Sequence, residues 1–462
     1  MTRESKRTLS GVEITSGAVL PAFLAMAAPQ AASRILQLLF NAADMVVLGN
    51  CASEYSLAAV GSTIPLVNLV LNFFFGLSVG VNILVAYYLG ARDESLCARA
   101  THASLVLAAL AGVIVVALGV PLAPTLLRIC SVPEETLGLS TTYLRVYFFG
   151  AFAALIYNFG AAIMRAYGDT KRPMYYLLVA GVLNVILNFI LVAVLHWDVL
   201  GVALATVTSQ YLSAILIFRR LMRQPCATRV EWRKFRMDWR ILGALLRRGV
   251  PAGLQASLFS IANVAVQIGI NGFGPIVMAG SAAAENIEDF IWVTMYSFAE
   301  CSLTFTSQAL GARKYSRLNR IAATSICCAM AVGLTLGLVV NLYGSFLLSL
   351  YDSRAEVISA GMTRLFWVSG FYALCGFMDS LANIVRGLGY NVTPAVTSLV
   401  GACVLRVAWI ATGFQLPEFH TFSALLMIYP ITWVVTGAAH GVVYIIARRG
   451  YPKVDELEER TC

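Results

Sequence analysis

Twelve apolar runs, most of them long enough to cross a lipid bilayer, dominate the 462-residue chain. A helix needs about 20 apolar residues to cross, and the bilayer core holds no water to satisfy backbone hydrogen bonds. Because 59% of the residues are apolar and 12% are charged, the composition excludes an ordinary soluble enzyme, a disordered tail and a disulfide scaffold. The sequence therefore predicts an all-α polytopic membrane protein with twelve transmembrane helices. These are expected at residues 17–46, 57–88, 97–127, 138–164, 174–195, 199–218, 246–272, 277–309, 319–350, 356–385, 392–414 and 421–447.

The distribution of Lys and Arg predicts the orientation of these helices. With the N-terminus placed inside, 27 of the 33 Lys and Arg residues fall on the inner side and three in outer loops, while Arg34, Arg145 and Arg406 lie within spans. This bias is typical of cytoplasmic loops, whose basic residues also face anionic lipid head groups. We therefore expect a multi-pass protein of the cytoplasmic membrane with both termini inside. The net charge of +9 then requires no nucleic-acid partner.

The longest inner loop runs from Arg219 to Arg248, divides the chain near its middle and carries ten of these basic residues. It suggests a linker between two lobes of six helices each. The predicted organisation is a cytoplasmic N-tail at 1–16, an amino lobe at 17–218, a cytoplasmic linker at 219–245, a carboxy lobe at 246–447 and a cytoplasmic C-tail at 448–462.

The two halves repeat each other at a fixed spacing of 221 residues. The tetrapeptide LGAR ends at Arg92 and again at Arg313, and the segment RAYGDTKRP beginning at Arg165 corresponds to RGLGYNVTP beginning at Arg386. Because each half has an even number of helices, the halves share one orientation and form pseudo-symmetric lobes. Two such lobes can rock around a central cavity, which is the architecture of alternating access.

Catalytic and cofactor motifs are missing from the sequence. There is no GxxxxGK[ST] phosphate-binding loop, no CxxC pair, and no metal-ligand spacing among the four histidines. We therefore expect no enzyme, no metal and no bound cofactor, and we expect the transported ion, H⁺ or Na⁺, to supply the energy.

Ionisable residues within the spans are the informative positions, because each costs at least ~2.5–3.5 kcal/mol at a helix centre unless it faces a partner or water. In the amino lobe, Asp44 lies in helix 1, while Asn184 and Asn188 share one face of helix 5. A single carboxylate among amides suits a proton or one sodium ion. Asn41 and Asn158 add further amides. From the sequence alone, these polar residues could form either an ion site or a set of structural pairs.

The carboxy lobe is richer in acids. Glu288, Asp289 and Glu300 lie in helix 8, and Asp379 lies in helix 10, 221 residues after Asn158. An acidic and aromatic cavity would attract organic cations by charge and by cation–π contact. The alternative is that these acids form ion pairs with Arg406 or with other helices.

Several segments resemble the multidrug and toxic compound extrusion (MATE) family. They are PQAASRILQLLFNAADMVVLG, LGARDE, RAYGDTKRPM and GVALATVTSQ in the first half, and IEDF, SQALGARK, RGLGYNVTP and IYPITW in the second. The resemblance keeps motif order over nearly the whole chain. It implies an antiporter of the cytoplasmic membrane that exports cationic drugs against inward sodium ions or protons.

The resemblance also assigns residues. Asp44 matches the family's acid of helix 1, Pro29 its bending proline, and Asn184 and Thr206 polar residues of the amino-lobe pocket. Asn188 departs from relatives that carry an acid there, while Glu288 matches a helix 8 glutamate. The residues expected to couple the ion are Asp44, Asn184, Asn188, Glu288 and Asp379; those expected to line the substrate cavity are Asn41, Asn158, Thr206, Gln255, Asp289 and Glu300; Pro29 is expected to bend helix 1.

The predicted function is a secondary antiporter that exports cationic or amphipathic compounds in exchange for H⁺ or Na⁺. Its partners would be the lipid bilayer and small organic cations, and we expect a monomer. One alternative is a flippase for lipid-linked oligosaccharides of the same superfamily, which would need several cationic residues in its cavity. A membrane-embedded enzyme is a second alternative, but no clustered nucleophile or metal ligands support it.

Overall fold

The computed structural model describes residues 12–53, 55–224, 227–231 and 238–455, and within these ranges its regular structure is helical. The predicted tails and the predicted linker lie partly outside these ranges. The first half contains α1 (Val19–Cys51), α2 (Ser56–Gly90), α3 (Glu94–Ile129), α4 (Glu134–Ala166), α5 (Lys171–Asn188) and α6 (Asp198–Arg223). The second half contains α7 (Trp239–Asn271), α8 (Pro275–Gly311), α9 (Ser316–Ser349), α10 (Ala355–Trp367), α11 (Tyr372–Gly387), α12 (Val392–Ser398), α13 (Leu405–Ala411), α14 (Phe422–Leu426) and α15 (Ile428–Arg449).

These elements form twelve membrane passes, which confirms the predicted fold class. Within the described ranges, eleven helical segments are long and apolar enough to cross a membrane; four of them join shorter elements, over Lys171–Val194, Ala355–Gly387, Val392–Gln415 and Phe422–Arg449. The twelfth pass is α8, which has 37 residues. Its four carboxylates, Glu285, Glu288, Asp289 and Glu300, lower its apolar character.

The charge count was wrong for one residue. It took Arg364 as one of the three outer-loop cations, whereas Arg364 lies inside α10 and only 4% of its surface is exposed. Arg364 therefore lies within a membrane pass, and its charge changes the electrostatics of the second half.

The internal repeat extends to the backbone of the helix ends. Arg92 and Arg313 adopt φ values of 57° and 55°, and Gly168 and Gly389 adopt 87° and 98°. At all four positions the amide of that residue donates to the carbonyl three residues back, and the next amide donates five residues back. This is the Schellman pattern, in which one left-handed residue closes the helix. Equivalent positions of the two halves therefore end their helices in the same way.

The helices pack into two compact units whose boundaries differ from those of the predicted lobes. The first unit contains Ala32–Gly253 together with Val12, and the second contains Glu13–Ala31 and the chain from Leu254 onward. Both boundaries lie within a continuous helix, two residues after Pro29 in α1 and two residues after Pro251 in α7. Each unit thus includes the first half of the opening helix of the other repeat.

In the first unit, the beginning of α7 packs on α2 through glycines. A Cβ atom added to Gly80 would lie 2.6 Å from the backbone nitrogen of Gly249, and one added to Gly253 would lie 2.5 Å from the carbonyl oxygen of Phe73. Gly76 approaches Gly253 in the same way. Small residues spaced four apart let two backbones come this close, so van der Waals packing stabilises the crossing without help from the hydrophobic effect.

In the second unit, the beginning of α1 packs on α8. The ring of Phe23 lies 5.4 Å from that of Phe305 and 6.4 Å from that of Phe298, measured between centroids. The Gln30 amide donates a 2.5 Å hydrogen bond to the Glu300 carboxylate, and both side chains are buried. A hydrogen bond between two residues 270 positions apart therefore holds the segment just after Pro29 against α8.

The described part of the linker is attached to α3 in the first unit. The Arg99 guanidinium donates to Asp238, which also caps α7 by accepting from the amide of Ile241. These hydrogen bonds, first that from Arg99, hold the pKa of the Asp238 carboxyl below its usual range. Farther along α3, the Nε2 atom of buried His102 accepts from the amide of Glu231 at 3.0 Å.

The paired left-handed glycines generate a stability prediction. Alanine at either Gly168 or Gly389 would have to adopt the left-handed backbone conformation, which lowers the stability of the folded state by ~1–2 kcal/mol. A Cβ at Gly168 would also lie 2.6 Å from the carbonyl oxygen of Val12, whereas nothing lies within 4 Å at Gly389. We therefore expect Gly168→Ala to lower the thermal unfolding midpoint in detergent more than Gly389→Ala does, at one fixed scan rate. Equal shifts for the two variants would contradict this packing.

Candidate functional site

Asp44 in α1 is the centre of a polar cluster in the first unit. The Asn188 amide donates to one carboxylate oxygen of Asp44, and the Thr206 hydroxyl donates to the other at 3.3 Å. The Asn184 amide lies 3.5 Å from the Thr206 hydroxyl oxygen, and the Asn188 amide lies 3.4 Å from the carbonyl oxygen of Asn184. We call these four residues the Asp44 cluster. Four residues predicted from sequence, on three helices, thus meet at one place.

Local structure explains how α5 supplies two of the four side chains. Asn184 and Asn188 are four residues apart and face the same side of the helix, as the sequence predicts. Directly after Asn188 the backbone changes to a π-helical turn, Phe189–Val194. Such turns are rare and occur frequently at functional sites. Both asparagines are buried, Asn188 completely so.

The cluster holds a carboxylate without a cation. In the part of the chain that the structure describes, the hydrogen-bond partners of Asp44 are the neutral side chains of Asn188 and Thr206. The stacked rings of Tyr143 and Tyr147, 5.8 Å apart, lie within electrostatic range of this carboxylate and carry no charge that would compensate it. Asp44 is half-buried within a membrane pass. A carboxylate in this position with neutral partners is favourable only if it binds a proton or another cation.

One oxygen atom of the cluster is unused. The side-chain carbonyl oxygen of Asn188 is buried and has no hydrogen-bond partner among the described residues. A buried polar atom without a partner costs about 1–3 kcal/mol, so its presence in a native structure requires an explanation. Together with the oxygens of Asp44, Asn184 and Thr206, it forms a set of hard oxygen donors of the kind that Na⁺ would accept.

Two predicted cavity residues of the first unit lie outside this cluster. Asn41 is exposed on α1 and Asn158 is half-buried on α4. Neither makes a side-chain hydrogen bond within the described ranges. Pro29 lies inside an unbroken α1, so this structure contains the proline without a break in the helix.

In the second unit, the acids of α8 differ in their environments. Glu288 accepts a 3.1 Å hydrogen bond from the Arg364 guanidinium, which also donates to the Ser281 hydroxyl at 2.7 Å and lies 3.5 Å from Glu285. Glu288 and Arg364 are both buried. Because Arg364 already neutralises Glu288, this acid is less suited than Asp44 to load an ion.

The remaining predicted residues of this unit are dispersed. Asp379 is half-buried and accepts a weak contact from the Cys375 thiol at 3.8 Å, and buried Arg386 donates to the predicted cavity residue Gln255. Asp289 is exposed on α8, whereas Glu300 is buried against Gln30. The second unit thus distributes its acids over several small contacts instead of one cluster.

The sequence analysis missed two buried cations. Arg364 could have been found by counting charges within the predicted helix 356–385. Arg386 is the first residue of the repeated segment RGLGYNVTP, but that repeat was used only as a marker of duplication. No group of three or more His, Cys, Asp or Glu side chains suited to a metal ion was found within the described ranges.

The family model described as MatE matches the chain twice, over residues 29–190 and 251–411. These two matches begin 222 residues apart and coincide with the two repeats. Curated relatives include the probable multidrug resistance protein YpnP of Bacillus subtilis (strain 168), which is 26% identical over 87% of this chain and 90% of the relative. A second is the probable multidrug resistance protein YoeA of the same organism, 25% identical over 80% of this chain and 82% of the relative.

Solved structures show a similar fold. One describes the outward-facing conformation of a multidrug resistance MATE family transporter of the MOP superfamily, with a TM-score of 0.87 and 24% sequence identity. The match covers 96% of this chain and 98% of that one. At this identity the likeness concerns the fold, which agrees with the twelve helical passes described above.

The buried pair of Arg364 and Glu288 yields a second prediction. Arg364→Met leaves Glu288 buried without its cation, and breaking a buried pair in this way typically costs about 3–5 kcal/mol. The double variant Arg364→Met, Glu288→Leu replaces both charges by apolar groups and is expected to recover most of that loss. Denaturant unfolding in detergent measures both. The control is Arg354→Met, because Arg354 pairs with Asp352 in solvent and its loss should change little. A double variant as unstable as the single one would show that the pair is not the cause.

Proposed function

Because the chain belongs to the MatE family, whose model matches both of its repeats, we propose that it is a secondary antiporter that exports cationic or amphipathic drugs in exchange for H⁺ or Na⁺. At the coarser level the chain is a multi-pass membrane protein and a multidrug efflux transporter, not an enzyme. The coupling ion, the charge of the exported compounds, the monomeric state and the inside position of both termini are parts of the proposal.

The Asp44 cluster carries the proposal. It combines a half-buried carboxylate within a membrane pass, neutral partners and a buried amide oxygen of Asn188 that has no partner among the described residues. Such a site gains free energy when a proton or a sodium ion enters, since either one neutralises the carboxylate. Loading and release of one cation there would supply the differential binding energy that a transport cycle needs.

The first helix provides a route from ion binding to a change of shape. Asp44 lies on the part of α1 that belongs to the first unit, whereas Gln30 lies on the part that belongs to the second. Pro29 lacks an N–H and weakens the helix two residues before the boundary between these parts. In the proposed cycle, the outward-facing state loads the ion at Asp44 and releases the drug, and the inward-facing state releases the ion and reloads drug.

One face of α8 supports binding of organic cations. Asp289 is exposed, and Trp292 and Tyr296 follow at spacings that place them on the same side of the helix. The two rings stack with centroids 5.2 Å apart. A carboxylate beside stacked aromatic rings binds a delocalised cation by charge and by cation–π contact.

The proposal predicts that Asp44→Asn inserts normally but abolishes coupled export. Purified protein in proteoliposomes is supplied with an organic cation such as ethidium, and transport is driven first by a sodium gradient and then by a pH gradient. We expect at least one gradient to drive wild-type transport and neither to drive Asp44→Asn. Glu135→Gln, which changes an exposed carboxylate at the start of α4, serves as the matched control and should transport normally. Full export by Asp44→Asn would remove Asp44 from the mechanism.

Asn188→Leu separates the two ions in the same assay. Coordination of Na⁺ would lose an oxygen ligand, so sodium-driven transport should fall at least tenfold, a change of about 1.4 kcal/mol. Coupling to protons would survive, because the carboxylate that carries the proton is intact. Failure of both gradients for the wild type, with scrambling of lipid-linked sugars present, would favour the flippase instead.

A further inference from the structure

Arg406 in α13 is a buried cation of the second unit that the proposed cycle does not use. Only 3% of its surface is exposed, and it lies two residues after a π-helical turn, Leu399–Val404. Its Nε atom donates to the Thr432 hydroxyl at 3.2 Å, and its guanidinium carbon lies 4.2 Å from the centroid of the Tyr429 ring. In the described ranges no carboxylate pairs with it.

The environment of Arg406 differs from that of Arg364 in the same unit. Arg364 is equally buried but is neutralised by Glu288, with Glu285 and Ser281 as further partners. Among the described residues, the partners of Arg406 are one ring face and one hydroxyl. A charge left in an apolar bundle without a counter-ion is costly, and intramembrane cations of this kind usually belong to a functional site.

The geometry leaves the donors of Arg406 available to a ligand. A guanidinium has five N–H donors in a planar fork, and stacking on a ring occupies its face but not its edge. Nε uses one donor on Thr432; the structure gives the two terminal nitrogens no hydrogen-bond partner. A carboxylate is the group that matches such an edge, because it can accept two parallel hydrogen bonds.

The surroundings favour an amphipathic ligand. Tyr429 is only half-buried, and Trp433 lies 5.8 Å from it and 5.6 Å from Tyr372 between ring centroids. An aromatic patch therefore lies directly beside the buried cation.

We propose that Arg406, stacked on Tyr429 and held by Thr432, binds the carboxylate of amphipathic compounds. Zwitterions are included, because the second unit also carries the exposed carboxylate of Asp289 on α8. This inference rests on the proposed export function for its ligand class. Its test uses binding alone, without any ion gradient, so that the two can fail separately.

The test compares probes that share one fluorophore. Dansylglycine carries a carboxylate and dansylglycinamide does not, and their Kd values are measured by fluorescence with the full chain in phosphatidylcholine nanodiscs. Wild type should bind dansylglycine at least tenfold more tightly than the amide. Arg406→Gln should abolish this preference, and Arg406→Lys should retain part of it, because the charge remains without the planar fork.

Arg145→Gln is the matched control, since Arg145 is an exposed membrane-helix arginine of the first unit that donates to the carbonyl of Val120. It should leave the preference unchanged. Equal affinity of the wild type for both probes would overturn the inference even if no Arg406 variant folds. Persistence of the preference in Arg406→Gln would overturn it as well. Loss of the preference when phosphatidylglycerol is added would instead assign the site to a lipid head group.

Discussion

A charged side chain inside an apolar helix bundle must be compensated there, because the bilayer offers no water to solvate it. The chain meets this constraint in three ways. Arg364 is neutralised by Glu288 in a closed pair. Asp44 receives hydrogen bonds from neutral side chains, and Arg406 rests on the ring of Tyr429. The first solution fixes two helices to each other, whereas the other two leave binding capacity for a partner from outside the chain.

The fold was predictable because its determinants are local in sequence. Apolar length fixes the passes, and the repeated segments recur as repeated backbone: Arg92 and Arg313 share one left-handed conformation, as do Gly168 and Gly389. The compact units were not predictable in the same way. Their boundaries lie inside α1 and α7, where hydropathy does not change, and depend on close packing such as that of Gly80 on Gly249.

The residues of the candidate site could be predicted from the sequence where helical spacing places them on one face of a helix. Asn184 and Asn188 share a face by periodicity alone, and a lone Asp44 among amides indicated cation chemistry. Gln30 and Glu300 are 270 residues apart, so no local sequence pattern predicts their contact. Arg364 was assigned to an outer loop when the Lys and Arg residues were counted, although it lies within a predicted helix. Its pairing with Glu288 could not be predicted, because it depends on how α10 packs against α8. Contacts between helices that are distant in sequence therefore determine which acid in a membrane pass has no cationic partner.

The division of α1 and α7 between the units bears on the origin of the chain. Each unit contains the first half of the opening helix that belongs to the other repeat. A six-helix half expressed by itself would therefore lack the half-helix that the other repeat supplies to its unit. If one duplicated gene produced both repeats, two copies of the ancestral polypeptide would have exchanged these half-helices, as protomers of a swapped dimer do. Fusion through the basic linker would then have made a pre-existing exchange permanent.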